Sequence, residues 1–212
     1  DLYFAKRFGD QILRKSGLPL ASPLTVLDFG CGPGYLYEHV RASGAAWTYI
    51  GADFSADSAQ QLMARGAADP RFGGAQHLTS LPIPLPDDSL DAAFLVEVVE
   101  HVQDDYLVPT LHEMHRLLKP GGFLVVSTPN RENLAASTKL CPECGAIFHE
   151  WQHVRTWDDV SLSEYVKRAG FTPLQVKGHD FFGRDPLRAA FYALRRAIKG
   201  EPKPHLLAVF RR

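Results

Sequence analysis

Three glycines at alternate positions, Gly30, Gly32 and Gly34, follow directly on the apolar run "LTVLDF" at 24–29. No other feature of the chain limits its fold so strongly. Glycine adopts backbone conformations closed to other residues and lets the main chain approach a ligand where a Cβ would collide. A glycine turn after a strand therefore marks the ligand-facing end of a parallel sheet. The spacing is G-x-G-x-G, not G-x-G-x-x-G. Asp28 stands two residues before the first glycine. A carboxylate there is badly placed beside a diphosphate, because like charges repel, but suits an ammonium or sulfonium group. Nineteen residues after Gly34, Asp53 ends a second β-rich run, "TYIGAD", where an acid accepts the hydroxyls of a ribose.

Short β-rich runs alternate with helical stretches along the chain, the rhythm of an α/β fold with a doubly wound, mostly parallel sheet. Strands are expected at 24–29, 48–53, 75–78, 91–97 and 123–128, with helices at about 34–43, 55–66 and 107–118 between them. Ser55 opens the second helix as an N-cap, and "KPGG" at 119–122 stops the third. After 128 the rhythm changes to an irregular stretch reaching about 156, then a helix (158–170), a strand (171–178), a basic helix (185–200) and a last strand (205–212).

The 212 residues suffice for one sizeable core, so a single domain over 1–212 is expected, with a small insert at 138–157. A net charge of −1 excludes an overall field of the kind that holds a nucleic-acid backbone. No run reaches the ~18 apolar residues that span a bilayer, and the N-terminal residues lack the apolar core of a leader. Three cysteines, Cys31, Cys141 and Cys144, are too few for a disulfide scaffold and point to a reducing cytoplasm.

A ribose, no diphosphate and a positive charge describe S-adenosylmethionine. The segments "VLDFGCGPG", "GADFS", "LPIPLPDDSLDAAFLVEVVEHV" and "HEMHRLLKPGGFLVVSTPN" resemble, in order, the motifs of class I S-adenosylmethionine-dependent methyltransferases over residues 24–130. The resemblance implies a Rossmann-like, seven-stranded sheet closed by an antiparallel pair formed by the last two strands. It also implies that the cofactor contacts Asp28, Gly30, Gly32 and Gly34 through the loop, Asp53 through ribose and Phe54 through adenine. Relatives carry an acid before the "LP" of the third-strand loop. Here His77 stands in its place, so adenine is expected against the backbone near Leu78.

Glu97, Glu100 and His101 fall on one face of a helical turn just past the fourth strand, beside the cofactor site. Such a trio serves either as a general base with its orienters or as ligands of a divalent ion, and Glu97 is also a candidate cofactor contact. The E-x-x-E-H pattern resembles the ubiquinone-pathway O-methyltransferases and the small-RNA terminal 2′-O-methyltransferases. Both branches add a later histidine, for which His153 is the candidate.

His153 has a competing assignment. "CPECGAIFHEWQH" spells C-x2-C-x4-H-x3-H through Cys141, Cys144, His149 and His153, a donor set suited to tetrahedral zinc. Phe148, Trp151 and Trp157 with Arg155 offer stacking surfaces for an acceptor, or core packing. At the N-terminus, Tyr3, Phe4 and Phe8 stand at helical spacing, as a cofactor flap or as packing against the sheet. The basic helix carries Arg184, Arg188, Arg195, Arg196 and Lys199, with Leu187, Phe191, Leu194 and Ile198 interleaved. It reads as a solvated face over an apolar one, or as a surface for anions or membrane.

The leading expectation is methyl transfer to oxygen on a small molecule, sugar or glycan-linked intermediate. The alternatives are terminal 2′-O-methylation of RNA, against which the near-neutral charge stands, and a non-catalytic cofactor-binding module. An NAD oxidoreductase is weakest, because Asp28 would face the diphosphate.

Overall fold

The computed structural model describes residues 4–181 and 186–212. The expected positions Tyr3 and Arg184 lie outside them. A helix α1 (Phe4–Ser16) precedes strand β1 (Thr25–Phe29), and the chain then alternates: α2 (Tyr35–Ala42), β2 (Thr48–Asp53), α3 (Ala56–Gly66), β3 (Phe72–His77), β4 (Leu90–Val96), α4 (Asp104–Leu117), β5 (Leu118–Pro129). A short 3-10 turn, Leu134–Ser137, leads into a hairpin of β6 (Thr138–Leu140) and β7 (Ile147–His149). Helix α5 (Asp159–Lys167), β8 (Thr172–His179), α6 (Pro186–Lys199) and β9 (His205–Arg211) complete the chain.

Seven strands form one sheet in the order β3-β2-β1-β4-β5-β9-β8, parallel except where β9 runs against both β5 and β8. Strands buried on both faces read as continuous apolar runs, and β4 shows why. Ala92 and Phe94 pack on one side with Ile12 and Leu13 of α1, Leu36 of α2 and Leu62 of α3. Ala93 and Leu95 pack on the other with Leu107 and Leu111 of α4 and Leu162 of α5.

Ser55 caps α3 by accepting the Ser58 amide, as expected. Helix α4 ends at Leu117, and the following "KPGG" is absorbed into β5 as an irregularity around Gly121, whose φ is +83°. Two features depart from expectation. The irregular insert contains the β6–β7 hairpin, and residues 97–101 form a turn rather than a helix, with Glu97 left-handed at φ +53°.

The strand order reverses between β1 and β4, which opens a crevice at their carboxyl ends. Asp28 pairs with Phe94 there, so the glycine turn and the 97–101 turn emerge side by side. Strand β5 delivers Asn130 to the same edge, and antiparallel β9 begins opposite Pro129 with His205. Four segments distant in sequence thus meet at one rim.

Candidate functional site

The rim encloses a cavity of about 1160 Å³. Its wall includes Asp28, Gly30, Gly32 and Asp53 from the first two strand ends, Glu97, Glu100 and His101 from the turn after β4, and Trp151 and His153 from the insert. Gly30 turns at φ +73°, and a Cβ built on it would meet Val98 Cγ2 at 2.7 Å. The bare backbone is what the loop's curvature requires. Gly34, Phe54 and Leu78 stand outside this wall. Gly34 caps α2 at φ +92° against Leu62, Phe54 meets the edge of Phe29, and Leu78 is buried with its N–H donating to the Asp53 carbonyl.

Asp53 is braced by two amides: Gly32 N–H donates to one carboxylate oxygen and Ser55 N–H to the other, each at 2.8 Å. Each oxygen keeps a further lone pair for a ligand hydroxyl. Asp28 is only 2% exposed, and the Tyr49 hydroxyl donates to it. Burial pushes this carboxyl up to about 7, against the lowering effect of the Tyr49 bond and with Asp53 adding like-charge repulsion.

The polar groups beyond β4 are held individually. Glu97 accepts from Ser127 Oγ at 2.8 Å and faces His205 Nδ1 at 3.7 Å. Glu100 is 1% exposed, and one of its oxygens accepts from Thr128 Oγ1 at 2.9 Å while the other is buried with no partner. Burial and then Glu97 push its carboxyl well above the usual range. The Val154 amide donates to the Glu100 carbonyl at 2.9 Å, which pins the insert against the turn and brings the rings of His101 and His153 to 4.7 Å. Partial desolvation, then His153, pushes His101 below the ordinary imidazole range.

Two donor sets converge here. Ligand atoms of Glu100, His101 and His153 lie within 4.8 Å of one another, as do those of Glu132, His149 and His153. Tautomers distinguish the two. His149 Nδ1 accepts the amides of Trp151 (3.3 Å) and His153 (3.2 Å), so the ring carries its proton on Nε2, which faces Glu132 Oε1 at 3.6 Å. A metal at that Nε2 would need the proton on Nδ1, opposed to two N–H donors. Glu132 also bonds His153 Nδ1, which leaves the other nitrogen of His153 for the set with Glu100 and His101. This is the carboxylate–histidine arrangement that orients metal ligands.

The tetrahedral set expected from Cys141, Cys144, His149 and His153 is divided. The Cys141 amide bonds to Ala146 at the hairpin tip, whereas His149 pairs with Thr138 at its base. Three residues of strand separate them by about 10 Å. Neither cysteine belongs to a donor set of three or more among the described residues. Trp151 lines the cavity, while Trp157 is buried in the core and Arg155 stacks over it and pairs with Asp104. Phe4 and Phe8 line the cavity and pack on Phe181, while Phe148 is exposed.

Tyr49, Asn130, Glu132 and His205 escaped the reading of the sequence. Asn130 and Glu132 carry a usable signal, since "TPNRE" follows the fifth strand where ligand-facing residues collect. For Tyr49 and His205 there is none, because only strand pairing places them.

Residues 3–176 match the methyltransferase domain family. Over 185 residues the chain is 30% identical to a ubiquinone biosynthesis O-methyltransferase of Dinoroseobacter shibae, covering 81% of this chain and 71% of that protein. It is 33% identical over 149 residues to a probable S-adenosylmethionine-dependent methyltransferase of Mycolicibacterium smegmatis, covering 69% of this chain and 51% of that one. An S-adenosylmethionine-dependent methyltransferase of Mesorhizobium loti shares the fold with a TM-score of 0.67 at 24% identity, covering 95% and 96% of the two chains. With motif order, strand order and family match in agreement, this chain belongs to the class I S-adenosylmethionine-dependent methyltransferases.

Proposed function

We propose that the chain methylates a hydroxyl oxygen on a small molecule, sugar or glycan-linked intermediate, with Glu97, Glu100, His101 and His153 on the acceptor side of the cavity. The observation that carries this reading is Glu100, which keeps one buried, partnerless oxygen and whose carboxylate offers a ligand atom within 4.8 Å of ligand atoms of His101 and His153. An orphaned carboxylate oxygen among imidazoles suits a divalent ion, and these three residues would hold it, with Glu97 adjacent. When bound there, the ion would polarise an acceptor hydroxyl and make its proton easier to lose.

The bound cofactor supplies a methyl group already activated on a sulfonium. What remains for the protein is alignment, exclusion of water and removal of one proton. Asp28 sets a buried negative charge beneath the glycine turn, Asp53 receives ribose hydroxyls, and Phe4, Phe8 and Trp151 form the apolar part of the wall. His101, held neutral, accepts the acceptor's proton at a ring nitrogen or serves as a ligand that orients the hydroxyl. The relatives named O-methyltransferases support oxygen as the acceptor atom.

The test is transfer of labelled methyl to a panel of phenols, sugars, amines and short RNAs, with and without chelator. Chelator-sensitive labelling of hydroxyl acceptors, and its loss in His101→Ala, is expected. Labelling confined to amines or carbon acids overturns the oxygen reading. Cofactor binding without turnover on any acceptor overturns the catalytic one.

A further inference from the structure

Helix α6 is inside out. Among the described side chains of Pro186–Lys199, only Ala189, Tyr192 and Arg196 are partly covered by the rest of the protein, and Arg196 pairs with Asp180. Phe191, Leu194 and Ile198 are 64%, 62% and 77% exposed. At about 100° per residue these three lie within about 60° of one another, on the side opposite the covered residues. Leu187, also exposed, extends the stripe by a turn. The sequence reading of a solvated face over a buried apolar one is therefore reversed: the apolar face is the one turned to solvent. A contiguous exposed stripe of this kind marks an interaction surface.

The charge of the helix identifies the occupant. Within 186–199 stand Arg188, Arg195, Arg196 and Lys199 and no acidic residue, in a chain whose net charge is −1. Arg195 is exposed next to the stripe, and Lys199, beside it, is 50% exposed with Glu201 at 3.7 Å. Apolar anchors flanked by basic residues, with no acid within the helix itself, match the interface of an anionic bilayer, where the rings and alkyl groups enter the acyl boundary and the cations meet headgroup phosphates. Two copies meeting through this face would set acid-free basic helices against each other. The helix is too short to cross a bilayer, in keeping with the absence of any spanning helix among the described residues.

We infer that α6 docks the protein on an anionic membrane surface, lying in its plane. Five residues after α6 ends, Pro204 and His205 enter the cavity wall, so the docking helix and the reaction cavity share one short connection.

Flotation of the whole chain with vesicles tests this, comparing phosphatidylcholine alone with an equal mixture of phosphatidylcholine and phosphatidylglycerol. The expected result is salt-sensitive flotation on the mixed vesicles, reduced at least tenfold by the double variant Phe191→Asp/Ile198→Asp. Because Phe191 and Ile198 are 64% and 77% exposed, the variant keeps its melting temperature and its affinity for the demethylated cofactor. A second variant, Arg195→Glu/Lys199→Glu, loses the preference for the anionic vesicles. No flotation, equal flotation on neutral vesicles, or flotation untouched by the Phe191/Ile198 variant overturns the inference. So does self-association by light scattering that this variant abolishes while vesicles bind neither protein.

Discussion

The hydroxyl of Tyr49 on β2 donates to the carboxylate of Asp28 on β1, with both side chains sealed from solvent. Adjacent parallel strands bring them together, Asp28 pairing with Gly51 while Tyr49 lies two residues back on the same face. The bond partly offsets the burial of a carboxyl that still titrates near neutrality, at about 7. A cationic ligand above it would draw the proton off.

Asp28 thus makes stability and binding depend on pH in opposite senses. Its folded pKa lies above the ordinary 3.8, so its contribution to stability is complete below about pH 4 and is lost as pH rises through 7. Without ligand, Asp28→Asn should gain in melting temperature relative to wild type between pH 4 and pH 8. Binding of S-adenosylmethionine should strengthen through pH 7 in wild type and stay flat in the variant. At pH 8 the variant should bind roughly 10- to 100-fold more weakly, the worth of a charge-assisted bond. Calorimetric titration across that range checks both signs.

Gly30 cannot be replaced without strain. Alanine there must adopt φ near +73° and displace Val98 Cγ2. The left-handed conformation alone costs roughly 1 to 2 kcal/mol, so Gly30→Ala should melt several degrees lower and lose cofactor affinity through the altered turn. A variant with unchanged melting and affinity would show that the loop relaxes freely.

Glu132 bonds His153 Nδ1 and faces His149 Nε2 at 3.6 Å, in the wall of the cavity. Glu132→Gln should leave affinity for the demethylated cofactor unchanged and lower the transfer rate roughly 10- to 100-fold, as losing an orienting carboxylate does. A loss confined to cofactor affinity would move Glu132 to the other half of the site.

Metal content should follow the histidines and not the cysteines. Elemental analysis of purified protein is expected to find a divalent ion in wild type and in Cys144→Ser, and to find it lost in His153→Ala. The ion lost in Cys144→Ser would restore the cysteine and histidine set despite the length of the hairpin.

The α/β alternation and the glycine turn were legible because they are local. Ser55 as a cap, the continuous apolar run of β4 and the left-handed Gly30 each depend on a few neighbouring residues and on elementary sterics. The E-x-x-E-H segment was legible as chemistry but not as geometry. A helical turn was expected, and the hydrogen bonds from Ser127 and Thr128 hold an irregular turn, with Glu97 left-handed, in its place. The zinc spacing misled because C-x2-C-x4-H-x3-H counts residues along a chain. Antiparallel pairing in β6–β7 sends the cysteines to one end of the hairpin and His149 to the other.

By itself the sequence determined the methyl donor: three glycines, a strand-end acid and a second acid at the end of the next strand set a ligand-facing turn that needs no distant partner to be recognised. Only the tertiary structure decided the acceptor side. Glu100, Glu132, His153 and His205 come from four segments, and their meeting depends on the strand order, on β9 running back against β5, and on the bond from Val154 to Glu100. It also decided the outward turn of the apolar stripe on α6, since periodicity shows that a helix has two faces but not which one the protein covers.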